Sequence, residues 1–282
     1  MKVIFVAGLI HSGSTFFERL IASLPGCVGL GELQRTVRLS MEGPPSRPEI
    51  CSCGEPHHEC EFWGPLFGVP ESDTFEREFE RALHRFETLY PDATLVESSK
   101  RPERIEIYQQ LAAQGWPIDL RVIYLFRDVR GWIHAIRRKG TADGDASGAR
   151  KRTGLVRNAY YWWRRVAAER AFLRRSGVPC LTVSYESVVF GTEAELQRIA
   201  DFLAVSLPPA ESLMVEAHSH ALHGNAMRKD ASRNRRIMYD PVWIRDWRVF
   251  WATPWILPPI AYSTHLQRAH SAVITTKPGH TR

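Results

Sequence analysis

The sequence predicts an α/β fold, a mostly parallel central sheet flanked by helices on both faces in three layers. Three observations carry this. Short apolar runs at Val3–Ala7, Leu120–Phe126 and Val178–Val183 have the length and the β-branched content of buried strands. Segments with a helical apolar period separate them. Strands that alternate with helices along a chain pair in parallel, because each crossover carries a helix back over the sheet.

In order, Val3–Ala7 is the first strand, ending in glycine-rich sequence before a helix over 14–24. Helical period resumes from Leu33 to Met41. A Pro-, Gly- and Cys-rich insertion follows at about 43–70. Asp73 and Glu76 have capping-box spacing and open a helix that reaches about Tyr90. Thr94–Glu97 reads as a short strand. Pro102 at a first helical position and Gly115 past the end bracket the next helix. The strand 120–126 feeds a helix from Val129 to Arg138. A long basic and aromatic helix closes at Gly177, and Thr192 with Glu195 caps a helix reaching Leu203. Residues 1–265 are read as one domain, and 266–282 as a flexible tail.

Composition narrows the class. The chain is 44% apolar and 24% charged, the balance of a soluble globular protein. Five cysteines, three of them crowded between residues 51 and 60, do not make a secreted disulfide framework and point to a reducing compartment. The opening apolar run is too short to span a membrane and lacks a cleavage site, so the expected location is cytoplasmic. The net charge of +6 admits nucleic acid, an anionic surface or a polyphosphate ligand without choosing among them.

The segment Gly8-Leu9-Ile10-His11-Ser12-Gly13-Ser14-Thr15 has the length and the strand–loop–helix setting of a phosphate-binding P-loop. Its glycines let successive N–H groups face one anion at a helix N-terminus. Ser14 stands where nucleoside triphosphatases carry the lysine that neutralises the β- and γ-phosphates, so triphosphate chemistry loses a main support. A second anion site is expected at Arg127, delivered by the carboxyl end of strand 120–126 where open α/β sheets bind ligands. Two such sites suit a nucleotide with phosphates at both ends.

These motifs together resemble the sulfotransferase family that uses 3′-phosphoadenosine 5′-phosphosulfate (PAPS). The matching pieces are His11-Ser12-Gly13-Ser14-Thr15, Gly31-Glu32-Leu33, Ser98-Ser99-Lys100-Arg101-Pro102, Arg127-Asp128-Val129-Arg130, Tyr185-Glu186 and Gly224-Asn225-Ala226-Met227-Arg228. The resemblance implies direct in-line transfer of a sulfuryl group to a hydroxyl or amine acceptor, with PAP as product and no metal required. It implies that Ser12, Gly13, Ser14 and Thr15 hold the 5′-phosphosulfate and that Arg127 pairs with the 3′-phosphate. Lys100 then approaches the donor, Tyr185 contacts the nucleotide, and Arg228 lies in a late loop over the 3′-phosphate. Many relatives add a Ser eight residues after that Arg, where this chain has Ala135. His11 replaces a Lys or Arg that faces the leaving group, and serves there as a cation or as a neutral donor. Glu32 resembles the base of tyrosylprotein sulfotransferases, and reads equally well as a helix-start carboxylate serving the dipole. The implied acceptor is a small molecule, carbohydrate or lipid, not nucleic acid.

Two further features draw other readings. Cys51, Cys53, His57, His58 and Cys60 are zinc-type ligands, but Cys-x-Cys is tighter than the usual spacing, so the sequence favours a loop of reduced thiols and no metal. By resemblance this loop, with Phe62-Trp63 after it, borders the acceptor pocket. His218, His220 and His223 read as loop surface. Tyr160–Arg165 reads as a helix face packed on the sheet rather than a base-stacking surface. A degenerate P-loop kinase or triphosphatase and a basic nucleic-acid-binding protein are the alternatives to sulfuryl transfer.

Overall fold

The computed structural model describes residues 1–43, 49–67, 72–139, 154–209, 212–215, 217–224, 237, 239 and 241–268. Its centre is a five-stranded, mostly parallel sheet flanked by helices. The strands are β1 (Lys2–Ala7), β2 (Cys27–Gly29), β3 (Thr94–Lys100), β4 (Asp119–Phe126) and β5 (Cys180–Ser184), in spatial order β2-β3-β1-β4-β5. The helices are α1 (Ser14–Ala22), α2 (Leu33–Met41), α3 (Phe75–Leu89), α4 (Glu106–Ala113), α5 (Val129–Lys139), α6 (Leu155–Ser176), α7 (Tyr185–Phe190), α8 (Thr192–Leu203), α9 (Trp247–Ala252) and α10 (Leu257–Arg268). Residues 269–282 of the expected tail lie outside the described residues, while α10 continues through 266–268.

The chain divides into two compact units. The first comprises Met1–Ala7, Ser14–Val122 and Ala200–Ile237, and the second Gly8–Gly13, Ile123–Ile199 and Met238–Arg282. In the first, β3 pairs in parallel with β1 and β2. Val3–Ala7 of β1 and Thr94–Ser99 of β3 are buried throughout, as strands covered on both faces must be. Phe17, Leu20 and Ile21 of α1, with Phe79, Leu83 and Phe86 of α3, complete this core. In the second unit, Trp132 of α5 and Trp162 of α6 are fully buried, and Trp132 stacks on Tyr161 at 6.3 Å. The aromatic run of α6 is thus partly core, as its pattern implies.

Three local expectations change. β2 is not apparent from the sequence, being only three residues long. The N-cap of α3 is Thr74 rather than Asp73, and the reach-back is made by Glu78, whose carboxylate accepts from the Ser72 N–H at 2.8 Å. Glu195, expected in the cap of its helix, turns its carboxylate to Ser187 Oγ, which donates at 2.9 Å, and pairs with Arg198.

α1 carries a carboxylate into the first core. Glu18 is 2% exposed and accepts from the Gly31 N–H and the Ser219 hydroxyl, both at 3.3 Å. Gly29 makes the room, since a Cβ there would lie 2.0 Å from Glu18 Oε1. Burial pushes the Glu18 carboxyl up to about 7, against the pull of its hydrogen bonds and Arg19. A carboxyl raised in the folded state binds more protons folded than unfolded, so its contribution to stability is full in acid and declines as pH rises from about 4.5 to 7. Between pH 4.5 and 8, chemical melts should show wild type losing roughly 3 kcal/mol relative to Glu18→Gln. Parallel pH profiles for the two proteins would contradict this account of Glu18.

Candidate functional site

In the second unit, the phosphate-type loop is shaped by steric necessity. Gly8 has φ +146°, and a Cβ there would lie 2.1 Å from the Leu125 carbonyl oxygen of β4. Trp132 Nε1 donates to the Ile10 carbonyl at 2.8 Å, and the Ser12 N–H donates to Leu9 O at 3.2 Å. His11 has φ +69°, an uncommon conformation for a residue with a Cβ, and Gly13 has φ +97°. Alternation into left-handed backbone is how such loops turn amides toward an anion. Ser12 is 1% exposed, and among the described residues its hydroxyl has no hydrogen-bond partner. A buried hydroxyl left so is costly unless a ligand serves it.

The same unit brings Gly13, Tyr185 and Arg127 together. A Cβ on Gly13 would lie 3.0 Å from Tyr185 Cδ2, so the glycine admits the tyrosine ring against the loop. Tyr185 opens α7, whose N-cap Ser184 accepts from the Ser187 N–H at 2.8 Å. The Arg127 guanidinium lies 4.9 Å from the centroid of the Tyr185 ring, a cation–π contact, and Arg127 is buried at the end of β4. The next residues interlock too, the Asp128 N–H donating to Glu186 Oε1 at 3.1 Å. Burial, reinforced by Asp128, pushes the Glu186 carboxyl up to about 7. Asp128 pairs with Arg130 at 2.9 Å. Ala135 is buried on α5 and has no side-chain donor to offer.

In the first unit, Ser14 and Thr15 open α1, and Ser14 is buried. Gly224 packs on Thr15, a Cβ there meeting Thr15 Oγ1 at 3.2 Å. Arg228 and the rest of that late motif lie outside the described residues. Glu32 and Lys100 meet in this unit. Phe5 pairs with Glu97 but Ala7 with Lys100, so β3 carries an extra residue at its end. Lys100 has φ +69° and its ammonium is bonded to Glu32. Arg35 adds a second cation at 3.5 Å.

Glu32 is the N-cap of α2, yet its side chain makes no capping hydrogen bond. Its carboxylate is turned instead to Lys100 and Arg35. Burial pushes the Glu32 carboxyl up, but Lys100 and Arg35 more than offset it and hold the group below its ordinary range. The side chain is an ionised carboxylate at neutral pH.

Sequence reasoning missed one grouping. His220 is not loop surface but buried, with its ring against Cys51 and Cys60. Only its separation from them in sequence hid this. His57 turns the other way, and its Nδ1 accepts from the Glu49 N–H at 3.3 Å.

The model of the Sulfotransferase family matches residues 3–209, most of the chain. Among solved structures, the mouse sulfotransferase SULT7A1 complexed with PAP matches with TM-score 0.51 at 12% identity, over 95% of this chain and 89% of that one. The sulfotransferase domain of the Synechococcus PCC 7002 olefin synthase matches with TM-score 0.49 at 17% identity, over 88% and 87%. At 12% identity the likeness to the mouse protein concerns the fold alone. No curated protein matches the sequence.

Replacing Lys100 by Met should reverse the titration of Glu32. With its main cation gone and its burial kept, the carboxyl should move from below to above the ordinary range, read by carbon-detected NMR of the labelled side chain. The variant should lose about 3 kcal/mol at neutral pH, because a buried charge loses its main partner and keeps only the more exposed Arg35. The loss should shrink in acid, where the pair no longer contributes in wild type. An unmoved Glu32 titration would show that the pair does not set its charge.

Proposed function

The chain belongs to the sulfotransferase family, and we propose that it moves a sulfuryl group from PAPS to a hydroxyl or amine acceptor without a covalent enzyme intermediate. The observation that carries this reading is the grouping of Gly13, Tyr185 and Arg127, motif residues far apart in sequence, beside a buried Ser12 hydroxyl with no protein partner among the described residues.

The residues present fit a nucleotide with two anionic ends. Loop amides from Ser12 to Thr15, with the hydroxyls of Ser12, Ser14 and Thr15, would hold the 5′-phosphosulfate. Arg127, whose fork of donors suits a phosphate, would hold the 3′-phosphate, and Arg228 would add to it. Tyr185 would contact the nucleotide while its ring fixes the Arg127 guanidinium. PAPS, when bound, supplies a sulfuryl group on a phosphate leaving group.

The chain's own work is then proton transfer and charge stabilisation. Glu32, held ionised by Lys100, would accept the acceptor's proton on a carboxylate oxygen. The same cation lowers the basicity of Glu32, so Lys100 sets both the fraction of active base and its strength. His11 and the loop amides would carry the negative charge that develops on the leaving phosphate. The acceptor is a small molecule in this reading, and no helix of the described residues is long and apolar enough to cross a membrane.

Calorimetric titration with PAP, with 5′-AMP and magnesium-ATP as controls, tests the donor assignment. PAP should bind, removal of the 3′-phosphate should weaken binding, and magnesium should have no effect. Arg127→Ala should bind PAP at least tenfold more weakly; tight magnesium-ATP binding without PAP binding would instead favour a kinase. Once an acceptor is in hand, Glu32→Gln should lower kcat about a hundred- to ten-thousand-fold while PAP affinity holds. Unchanged turnover would remove Glu32 from the mechanism.

A further inference from the structure

We propose that Cys51, Cys53, Cys60 and His220 form a structural zinc site, independent of the donor chemistry. Their ligand atoms all lie within 4.8 Å of one another. Cys60 Sγ is 3.6 Å from Cys51 Sγ, 3.8 Å from Cys53 Sγ and 3.3 Å from His220 Nδ1, and Cys51 Sγ is 3.9 Å from the same nitrogen. Zinc–sulfur bonds of about 2.3 Å in a tetrahedron place two sulfurs about 3.8 Å apart. A disulfide needs about 2.05 Å, and the cysteines are free thiols. The spacing is that of ligands around an ion.

The backbone is built to hold these four atoms. A tight turn brings the first two cysteines together, with the Cys51 N–H donating to Glu55 O at 2.8 Å and the Gly54 N–H to Cys51 O at 3.0 Å. Gly54 takes φ +103° within it. Cys60 sits in a second turn, its N–H donating to Pro56 O at 2.9 Å and its carbonyl accepting from the Gly64 N–H at 2.8 Å. Ser52 fastens the turn to the histidine's segment, donating to Ser219 O at 2.7 Å and accepting from the Ala221 N–H at 2.8 Å.

His220 is fixed on every side. Its N–H donates to Gly29 O at 2.7 Å, and its carbonyl accepts from the Trp63 indole. Its Nε2 lies 2.8 Å from the Tyr90 hydroxyl. Donation of the Nε2 proton to Tyr90 leaves the Nδ1 lone pair facing the sulfurs, the tautomer a metal requires. Cys51, Cys60 and His220 are buried and only Cys53 is exposed, which suits a site closed by four protein ligands rather than one open to substrate. Three thiolates and an imidazole select zinc over magnesium or calcium.

The test is the metal content of the full-length protein, purified without chelator from zinc-supplemented medium. One zinc per chain is expected in wild type, with loss of that zinc in Cys53→Ser, the exposed and least disruptive substitution. Cobalt(II) added to the metal-stripped protein should give the intense visible bands of a tetrahedral thiolate complex. Tyr90→Phe should weaken zinc binding about ten- to a hundredfold. Wild type free of metal and silent with cobalt would overturn the proposal. So would a Cys51–Cys60 disulfide found by mass spectrometry, or zinc retained in both Cys53→Ser and His220→Ala. None of these readouts depends on sulfuryl transfer.

Discussion

Glu97 lies fully buried in the middle of β3, and much of the first unit is arranged around satisfying it. A carboxylate taken out of water costs several kcal/mol unless hydrogen bonds replace the solvent. Here Tyr108 of α4 donates at 2.6 Å, Gln34 of α2 at 3.4 Å, and Ser99 closes over the second oxygen. Burial still pushes the group up from its ordinary range. Two helices are thereby keyed to one strand. Gln34 also donates to Arg104 O at 2.8 Å, so α2 is anchored at its first turn.

That anchoring positions the candidate base. Glu32 stands two residues before Gln34, at the end of α2 that the Glu97 network holds, while Lys100 stands three residues after Glu97 on the strand itself. The extra residue of β3 and the left-handed φ of Lys100 turn its side chain toward Glu32. Left-handed backbone at a residue with a Cβ costs about 1–3 kcal/mol and persists only where the surroundings enforce it. Lys100 and His11 both show it, and both belong to motifs that resemble donor-binding segments.

The second unit solves a different problem, keeping an arginine buried yet aimed. The Tyr185 ring gives the Arg127 guanidinium a face to rest on, and Glu186 holds the backbone of the next residue. Gly131 leaves room for the side chain, since a Cβ there would meet Arg127 Nε at 3.0 Å. Arg130 leans on Trp243 at 4.9 Å and is drawn away by Asp128. The buried and the half-exposed arginine of one motif thus have distinct surroundings.

Local pattern made most of this fold readable. Period and length alone place β1, β3, β4 and β5 and the main helices, because a strand buried on both faces must be apolar and a helix must show its stripe. Spacing around Gly8–Thr15 and Arg127 marked a tight glycine turn before a helix and a strand-end arginine for the same reason, since backbone turns and strand ends depend on nearby residues. Pairings across long sequence distances were not readable. β2 is too short to carry a period and exists through its bonds to β3. The Lys100–Glu32 pair depends on one extra residue in a strand, and His220 joins cysteines about 160 residues earlier through its bond to Gly29. The sequence by itself determined which segments bury themselves and where the backbone turns tightly at glycine, since those follow from local sterics and hydrophobicity. Only the tertiary structure decided which charges neutralise one another and which thiols share a site, because electrostatic and ligand contacts depend on distance in space and not along the chain.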